Sequence, residues 1–165
     1  MASIEKIDNL VTERKTQLTS KVLWSIPFKQ ALTTWPDYNN LGATPNQGKI
    51  CDGCNLANAK SHVQMAGHAY SSSTLRQLKL DQNENVSKSF NLCQKCNNLS
   101  QLFHRLVHQK HWMSKLCSEA VTSLKKDSPR IETAAILNYF LDDEEWLEQQ
   151  FKKVQDLWAN VDALK

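Results

Sequence analysis

Two pairs of cysteines form the strongest chemical pattern in this sequence. Cys51 and Cys54 are separated by two residues, and so are Cys93 and Cys96. Two thiolates three positions apart on a tight turn can both reach one tetrahedral zinc ion at about 2.3 Å. Gly53 should help the first turn, because glycine tolerates a positive φ. The pattern therefore predicts a closed zinc site with four thiolate ligands, from Cys51, Cys54, Cys93 and Cys96.

The distance between the two pairs leaves other interpretations open. Thirty-eight residues separate Cys54 from Cys93, more than a zinc ribbon usually has, so we expect a structured hairpin and loop between them. The cysteines could instead be unrelated free thiols. A thioredoxin-like redox pair is a further alternative, but Asp52 disfavours the thiolate that such a pair needs, and a βαβ context is missing.

Three histidines form a second pattern that could bind metal. His104, His108 and His111 are spaced i, i+4 and i+7 on a predicted helix. The H-E-x-x-H pattern of a catalytic zinc site is absent. We interpret these histidines mainly as packing or surface residues, while His104 or His108 could replace one cysteine as the fourth ligand.

The sequence carries no pattern that indicates catalysis. It has no P-loop, no dinucleotide fingerprint and no G-x-S-x-G elbow. Zinc held by four thiolates has no open position at which to activate water. We therefore expect a protein that is not an enzyme, binds zinc as its cofactor and has no small-molecule substrate.

Hydrophobic periodicity indicates helices on both sides of the cysteine-rich segment. We expect helices over residues 3–23, from Ser25 to Trp35-Pro36, over 97–125, after Asp127-Ser128-Pro129, and after Asp142-Asp143-Glu144-Glu145. Between them we expect polar loops over 37–49 and 81–89 and a hairpin within 61–70.

These elements predict a mostly α fold with a small zinc-knuckle and β-hairpin insert. We expect a single domain over residues 1–165, made of N-terminal helices (1–36), a zinc-binding insert (50–96) and C-terminal helices (97–165). The fifth cysteine, Cys117, lies on the apolar stripe of the long helix, so we expect it in the core.

Charge and hydropathy limit the environment of the chain. The net charge is +3, with an excess of basic residues over 98–130 and of acidic residues over 131–165. No apolar run approaches the roughly 18 residues of a membrane span, and the N-terminus lacks the apolar region of a secretory signal. We expect an intracellular protein that does not bind membranes.

Several segments, in this order, give the chain a family resemblance. They are WSIPFKQALTTWPDY (24–38), CDGCNLAN (51–58), HVQMAGHAYSSSTL (62–75) and FNLCQKCNNLSQLFHRLVHQKH (90–111). Through them, residues 21–121 resemble the domain of unknown function 4211 family. This family occurs at the C-terminus of coiled-coil domain-containing protein 82 and in several large chromatin-associated proteins.

The resemblance implies a nuclear, chromatin-linked module and no known activity. In the family a cysteine like Cys96 recurs, whereas the position of Cys93 is often another residue. The resemblance therefore leaves His104 or His108 as the fourth ligand in relatives.

The leading functional hypothesis is a zinc-stabilised helical module that binds a protein partner in a nuclear complex. Exposed tryptophans and the acidic last helix would supply the contacts. The alternative is a zinc-containing domain that binds DNA or RNA through the basic stretch 105–130. Its contact residues would be Arg105, Lys110, Lys115, Lys125, Lys126 and Arg130.

Overall fold

The structure is a computed structural model that describes residues 2–45, 48–79 and 87–164. Six helices are present there: α1 (Ala2–Ser20), α2 (Ile26–Thr34), α3 (Gln94–Val107), α4 (Gln109–Asp127), α5 (Thr133–Asp142) and α6 (Glu144–Asp162). Three strands, β1 (Asp37–Ala43), β2 (Ser61–Ala66) and β3 (Ser87–Leu92), form an antiparallel sheet in the order β1-β2-β3. The predicted mostly α fold with a small β insert is confirmed.

The sheet is not the predicted hairpin within 61–70. Strand β2 is central and pairs with β1 on one side and β3 on the other. Strand β1 lies in the segment 37–49, so the prediction of a loop there is wrong. The strand has no signal in the sequence because β1 is an edge strand with five of its seven residues exposed and no apolar alternation. Of the second predicted loop, 81–86 lie outside the described residues, and 87–89 belong to β3.

The core lies between the sheet and helices α2 and α3. Its fully buried side chains include Phe28 of α2, Val63 and Met65 of β2, Leu92 of β3 and Leu106 of α3. Phe28 and Phe90 pack edge to face, with ring centroids 5.1 Å apart. This core fixes the end of β3, and therefore the start of α3, against α2.

Local signals set the two ends of α2 as predicted. Ser25 is the N-cap residue, and Pro27 lies in the first turn, where its missing N–H costs nothing. The helix ends at Thr34, and Trp35 is extended before Pro36, because a residue followed by proline avoids the helical conformation.

The predicted long helix over 97–125 is two helices. The chain leaves regular helical geometry at His108, which has φ −95° and ψ 6° and lies between α3 and α4. Helix α3 packs into the core, whereas α4 has no buried residue. Consequently Cys117 is exposed, and its predicted place in the core is wrong. The apolar stripe continues in the sequence, but none of the residues that the structure describes packs over this part of it closely enough to bury a side chain.

Helix α6 returns to the body and packs against α1 and α3. Asp143 caps its N-terminus by accepting a hydrogen bond from the backbone N–H of Trp146 at 3.0 Å, as its acidic start predicts. The Arg14 guanidinium lies 2.7 Å from the Asp162 carboxylate and 4.5 Å from the ring centre of Trp158. Among the described residues, no helix is both long and apolar enough to span a membrane.

Candidate metal centre

The structure brings the four predicted cysteines together. The sulfur atoms of Cys51, Cys54, Cys93 and Cys96 all lie within 4.8 Å of one another, and those of Cys54 and Cys93 are 3.9 Å apart. All four are free thiols. Tetrahedral Zn–S bonds of about 2.3 Å require sulfur–sulfur distances of about 3.8 Å, so the arrangement fits a zinc ion with only small adjustments.

The first pair of cysteines is presented by a short closed loop. The loop begins at an isolated bridge between Ile50 and Asn58, and the Cys51 N–H donates to the Ala57 carbonyl at 2.8 Å. The residue with positive φ in this loop is Asn55, at 56°. An asparagine tolerates this conformation better than most residues.

Gly53 is required for a different reason from the predicted one. Its φ is not positive; instead, a Cβ atom there would lie 3.3 Å from Cys96 Sγ, Leu92 Cδ2 and Phe28 Cε1. The prediction of a left-handed Gly53 is therefore wrong. The glycine allows the loop to pack directly against the second cysteine pair and the core.

Asp52 fastens the loop to strand β3. Its carboxylate accepts a 2.6 Å hydrogen bond from the backbone N–H of Asn91, and its own N–H donates to the Asn91 carbonyl at 2.8 Å. The Asn91 side-chain oxygen in turn lies 2.7 Å from Thr44 Oγ1 and 3.0 Å from His62 Nδ1. Asp52 follows Cys51 directly, and Asn91 lies two residues before Cys93. This network therefore fixes the position of one cysteine pair relative to the other.

The second pair lies at the N-terminus of α3. Cys93 is the N-cap residue, and its sulfur accepts a hydrogen bond from the Cys96 N–H at 3.4 Å. The positive end of a helix dipole favours nearby anions. Two of the four sulfurs therefore lie where negative charge is stabilised by the fold itself.

The crowded sulfurs cannot all be anionic without a cation. The hydrogen bond between the sulfurs of Cys51 and Cys96 lowers the pKa of Cys51 and raises the pKa of Cys96. Burial raises the pKa of the Cys93 thiol. One thiolate is thus held by its protonated neighbours, and a divalent cation bound among them would supply the charge that stabilises four thiolates.

Burial makes this a closed site. Cys51, Cys93 and Cys96 are buried, and Cys54 is partly buried. Within the described ranges 2–45, 48–79 and 87–164, this is the one group of three or more cysteine, histidine or acidic side chains placed to hold a metal ion. Such a site holds protein segments together and leaves no position open for a substrate.

The structure places the histidines away from the sulfurs. His104 and His108 are buried, and their Nε2 atoms lie 2.8 Å from the carbonyl oxygens of Trp35 and Leu32, respectively. These carbonyls end α2, where the helix has no intrahelical donors for them. The histidines therefore cap α2, as basic side chains near helix C-termini commonly do.

His108 uses both ring nitrogens. Nε2–H donates to Leu32, so in the neutral ring Nδ1 accepts from the hydroxyl of Tyr70. Burial, with the neighbouring His104, lowers the pKa of His108 to about 3, and burial raises the pKa of Tyr70 to about 12. The Tyr70 ring also stacks on His111, with centroids 4.0 Å apart. His108 therefore has no nitrogen left for a metal.

The basic residues predicted for nucleic-acid binding are dispersed. Lys110 forms a 2.5 Å ion pair with Asp8 of α1, and the Lys115 ammonium lies 4.9 Å from the ring centre of Trp112. Lys115 and Lys126 share a face of α4 that also carries Glu119. The remaining three are exposed: Arg105 on α3, Lys125 on α4, and Arg130 beyond it.

Sequence reasoning missed the residues that support the cysteines from other segments. Ser25 donates through its N–H to the Gly53 carbonyl at 2.7 Å and through Oγ to the Asp52 carbonyl at 2.8 Å. Asn91, which bonds Asp52, gave no sequence signal beyond its place two residues before Cys93. Such contacts join distant parts of the chain and have no local periodicity.

Comparison with known proteins supports the family resemblance. Residues 1–75 match the model of the Domain of unknown function (DUF4211) family. The resemblance predicted from the sequence is confirmed over this range, which includes the first cysteine pair; the second pair lies beyond it.

Two curated relatives extend the similarity along the chain. Proline-rich protein 12 of Homo sapiens is 22% identical over 163 residues, and Proline-rich protein 12 of Mus musculus is 23% identical over 163 residues. Each match covers 97% of this chain and 7% of the relative, so the chain spans a small part of either protein. No solved structure matches the chain.

Proposed function

We propose that the chain is a zinc-stabilised protein-interaction module of a nuclear, chromatin-associated assembly. The observation that carries this proposal is the closed cluster of four sulfurs, which lies between α2, the sheet and the start of α3. A metal ion there would join two loops that are 38 residues apart in sequence. Its role would be to fix a surface.

The chemistry of the cluster supports a structural role over an enzymatic one. Structural zinc sites have four cysteine or histidine ligands and no open position, whereas catalytic zinc sites keep a position for water or substrate. Three of the four cysteines are buried, and the buried histidines His104 and His108 are hydrogen-bonded to backbone carbonyls. We therefore propose that the protein is not an enzyme.

The nuclear, chromatin-linked setting is proposed from the family resemblance. The segments 24–38 and 51–58, which carry that resemblance, form α2 and the first cysteine loop, and both fall within the family match. Segment 51–58 carries Cys51 and Cys54, and Ser25 of segment 24–38 bonds the Asp52 and Gly53 carbonyls between them. The metal would therefore stabilise part of the chain that resembles the family.

Metal analysis tests the cofactor. We expect one zinc per chain after purification without added metal, four cysteines protected from alkylation, and a reactive Cys117. Removal of the metal by a chelator should expose all five thiols. A metal-free chain with the same thermal stability and the same four protected cysteines would contradict a structural zinc.

Affinity capture tests the interaction. The tagged chain and a Cys54→Ser variant should be compared in nuclear and cytoplasmic extracts. We expect saturable partners that are enriched in the chromatin fraction and lost with Cys54→Ser. Partners that bind both proteins equally, or that occur only in the cytoplasmic extract, would contradict the proposal.

Nucleic-acid binding is the competing function, since Lys115 and Lys126 are exposed on one face of α4. A gel-shift titration at two salt concentrations separates the two. Phosphate contacts weaken steeply as salt increases. Salt-sensitive binding that is lost with Lys115→Glu and Lys126→Glu would favour this alternative, and absence of binding at low salt would eliminate it.

A further inference from the structure

The three most exposed large apolar side chains belong to two segments beside the cysteine cluster. Among the residues that the structure describes, these are Leu23 (89% exposed), Leu56 (88%) and Ile26 (74%). Leu56 follows Cys54 by two residues, and the other two flank the N-cap of α2. Scattered exposed apolar residues are ordinary, but a group of them marks an interaction site.

The two segments that carry these side chains are joined. Ser25, between Leu23 and Ile26, bonds the carbonyl of Gly53 through its N–H and the carbonyl of Asp52 through its hydroxyl. Cys54 comes next in the chain and belongs to the sulfur cluster. These bonds hold Leu23, Ile26 and Leu56 on two adjoining segments. We call the three side chains the knuckle patch, and we infer that their relative placement depends on the metal site.

The segments that carry and adjoin the knuckle patch contain many more basic than acidic residues. The three segments that surround the sulfurs, 21–30, 48–62 and 87–101, contain six lysines and a single acid, Asp52. The Asp52 carboxylate is directed to the backbone N–H of Asn91. Lys29 and Lys95 are exposed, on α2 and on the first turn of α3. Lys29 lies one helical turn from Ile26, on the same face of α2.

We propose that the knuckle patch binds an acidic peptide segment that inserts large apolar side chains. The patch supplies exposed aliphatic surface, and the surrounding lysines attract and orient an acidic chain. This inference rests on the proposed function, since it names the chemistry of the partner that the metal-stabilised module binds. Metal loss would separate Leu56 from Ile26 and remove the site.

A displayed library of random 12-residue peptides provides the probe. It should be selected on the zinc-loaded chain and counter-selected on a triple variant, Leu23→Ser, Ile26→Ser and Leu56→Ser. We expect enriched peptides with net negative charge and at least one large apolar residue. No enrichment, or enrichment of neutral or basic peptides, would overturn the proposal.

Synthetic forms of the enriched peptides should then be measured by fluorescence anisotropy. The triple variant should bind on the order of 100-fold more weakly, because three anchoring contacts are lost. A matched variant on α5 and α6, Leu137→Ser, Leu141→Ser and Phe151→Ser, should bind as the wild type does. Lys29→Glu with Lys95→Glu should weaken binding about tenfold at low salt and less at high salt. Equal affinity of the wild type and the triple variant would contradict the proposal.

Two controls separate this inference from the proposed function. One zinc per chain in the triple variant, with unchanged melting, shows that the module is intact and that the patch alone was changed. Absence of zinc in the wild type would instead refute the proposed function. A wild-type dimer that the triple variant abolishes would assign the patch to a second copy of the chain and overturn the acidic peptide as its occupant.

Discussion

Helix α3 has a cluster of potential metal ligands near each end, and the two clusters differ in what already holds them. At its N-terminus four sulfurs lie within 4.8 Å of one another, and the hydrogen bond that Cys93 Sγ accepts from the Cys96 N–H at 3.4 Å leaves sulfur lone pairs for a metal. At its C-terminus His104 Nε2 bonds the Trp35 carbonyl, and both nitrogens of His108 are bonded, to the Leu32 carbonyl and to the Tyr70 hydroxyl. Residue type and spacing alone therefore do not define a metal site; the ligand atoms must also be free.

The two clusters also match opposite ends of the helix dipole. Cys93 and Cys96 lie where partial positive charge favours thiolates. His104 and His108 lie at the negative end but are kept neutral by burial, which lowers the pKa of both. The cysteine cluster can bind a cation, whereas protonation of the histidine cluster would destabilise the fold.

Cys54→Ser should have the largest effect, because it removes one ligand from the sulfur cluster. Structural zinc contributes on the order of 10 kcal/mol to folding, which is comparable to the total stability of a domain of this size. We expect loss of bound zinc and of the cooperative thermal transition measured by circular dichroism. Cys117→Ser, which changes an exposed thiol outside the cluster, is the control and should leave both unchanged.

His108→Leu should weaken the other end of α3 without affecting the metal. It leaves the Leu32 carbonyl and the Tyr70 hydroxyl without a partner, at a cost of about 2–4 kcal/mol for the two groups. Urea denaturation should show this loss, while the zinc content stays at one per chain. Zinc loss in this variant would contradict the separation of the two clusters and would indicate that His108 supports the metal.

Gly53→Ala tests the close packing between the loop and the sulfurs. The added methyl group would press on Cys96 Sγ, Leu92 and Phe28 at 3.3 Å, and such overpacking costs about 1–3 kcal/mol. We expect lower stability together with weaker zinc binding in a competition titration against a chelator.

Gly42→Ala is the matched control for that variant. Gly42 has φ 95°, but a Cβ there meets nothing within 4 Å. Backbone strain should cost about 1 kcal/mol, with zinc affinity unchanged. If both variants weakened zinc binding equally, close packing would not be the reason for Gly53.

Lowering the pH should reduce the stability that the histidine cluster contributes, because His108 is neutral in the fold. The pKa of His108 is about 3 in the fold, below its ordinary value, so the unfolded chain binds more protons between about 6.5 and 3. The stability that neutral His108 contributes is complete above pH 6.5 and decreases as the pH falls through this range. Facing His108 are Tyr70, His104 and His111.

The measurement is the stability of the wild type minus that of His108→Leu. This difference should shrink by about 1 kcal/mol between pH 6.5 and 5.5. Taking the difference cancels the acid sensitivity of the cysteines, which both proteins share. A difference that stays constant or grows as the pH falls would show that His108 is not held neutral.

The sequence predicted the parts of the fold that depend on local signals. The cysteine spacing, the start of α2 at Ser25, the stop before Pro36 and the acidic start of α6 all act within a few residues. The four cysteines were singled out correctly as a group that the structure assembles. These features are readable because their partners lie nearby or repeat a known ligand spacing.

The parts that sequence reasoning missed depend on long-range packing. Strand β1 lies at the edge of the sheet with five of its seven residues exposed, so its pairing with β2 had no apolar alternation to reveal it. The break at His108 lies where the side chain bonds Leu32 and Tyr70, both more than 30 residues away. Cys117 follows the core periodicity, but α4 extends beyond the core.

X-ray absorption at the zinc edge tests the central claim most directly, because it counts the ligand atoms and their types in the intact chain. We predict one zinc per chain, surrounded by four sulfur atoms at about 2.3 Å and by no nitrogen. A coordination shell of three sulfurs and one nitrogen at about 2.0 Å would contradict the account, since a histidine would then belong to the metal site and not to the end of α2.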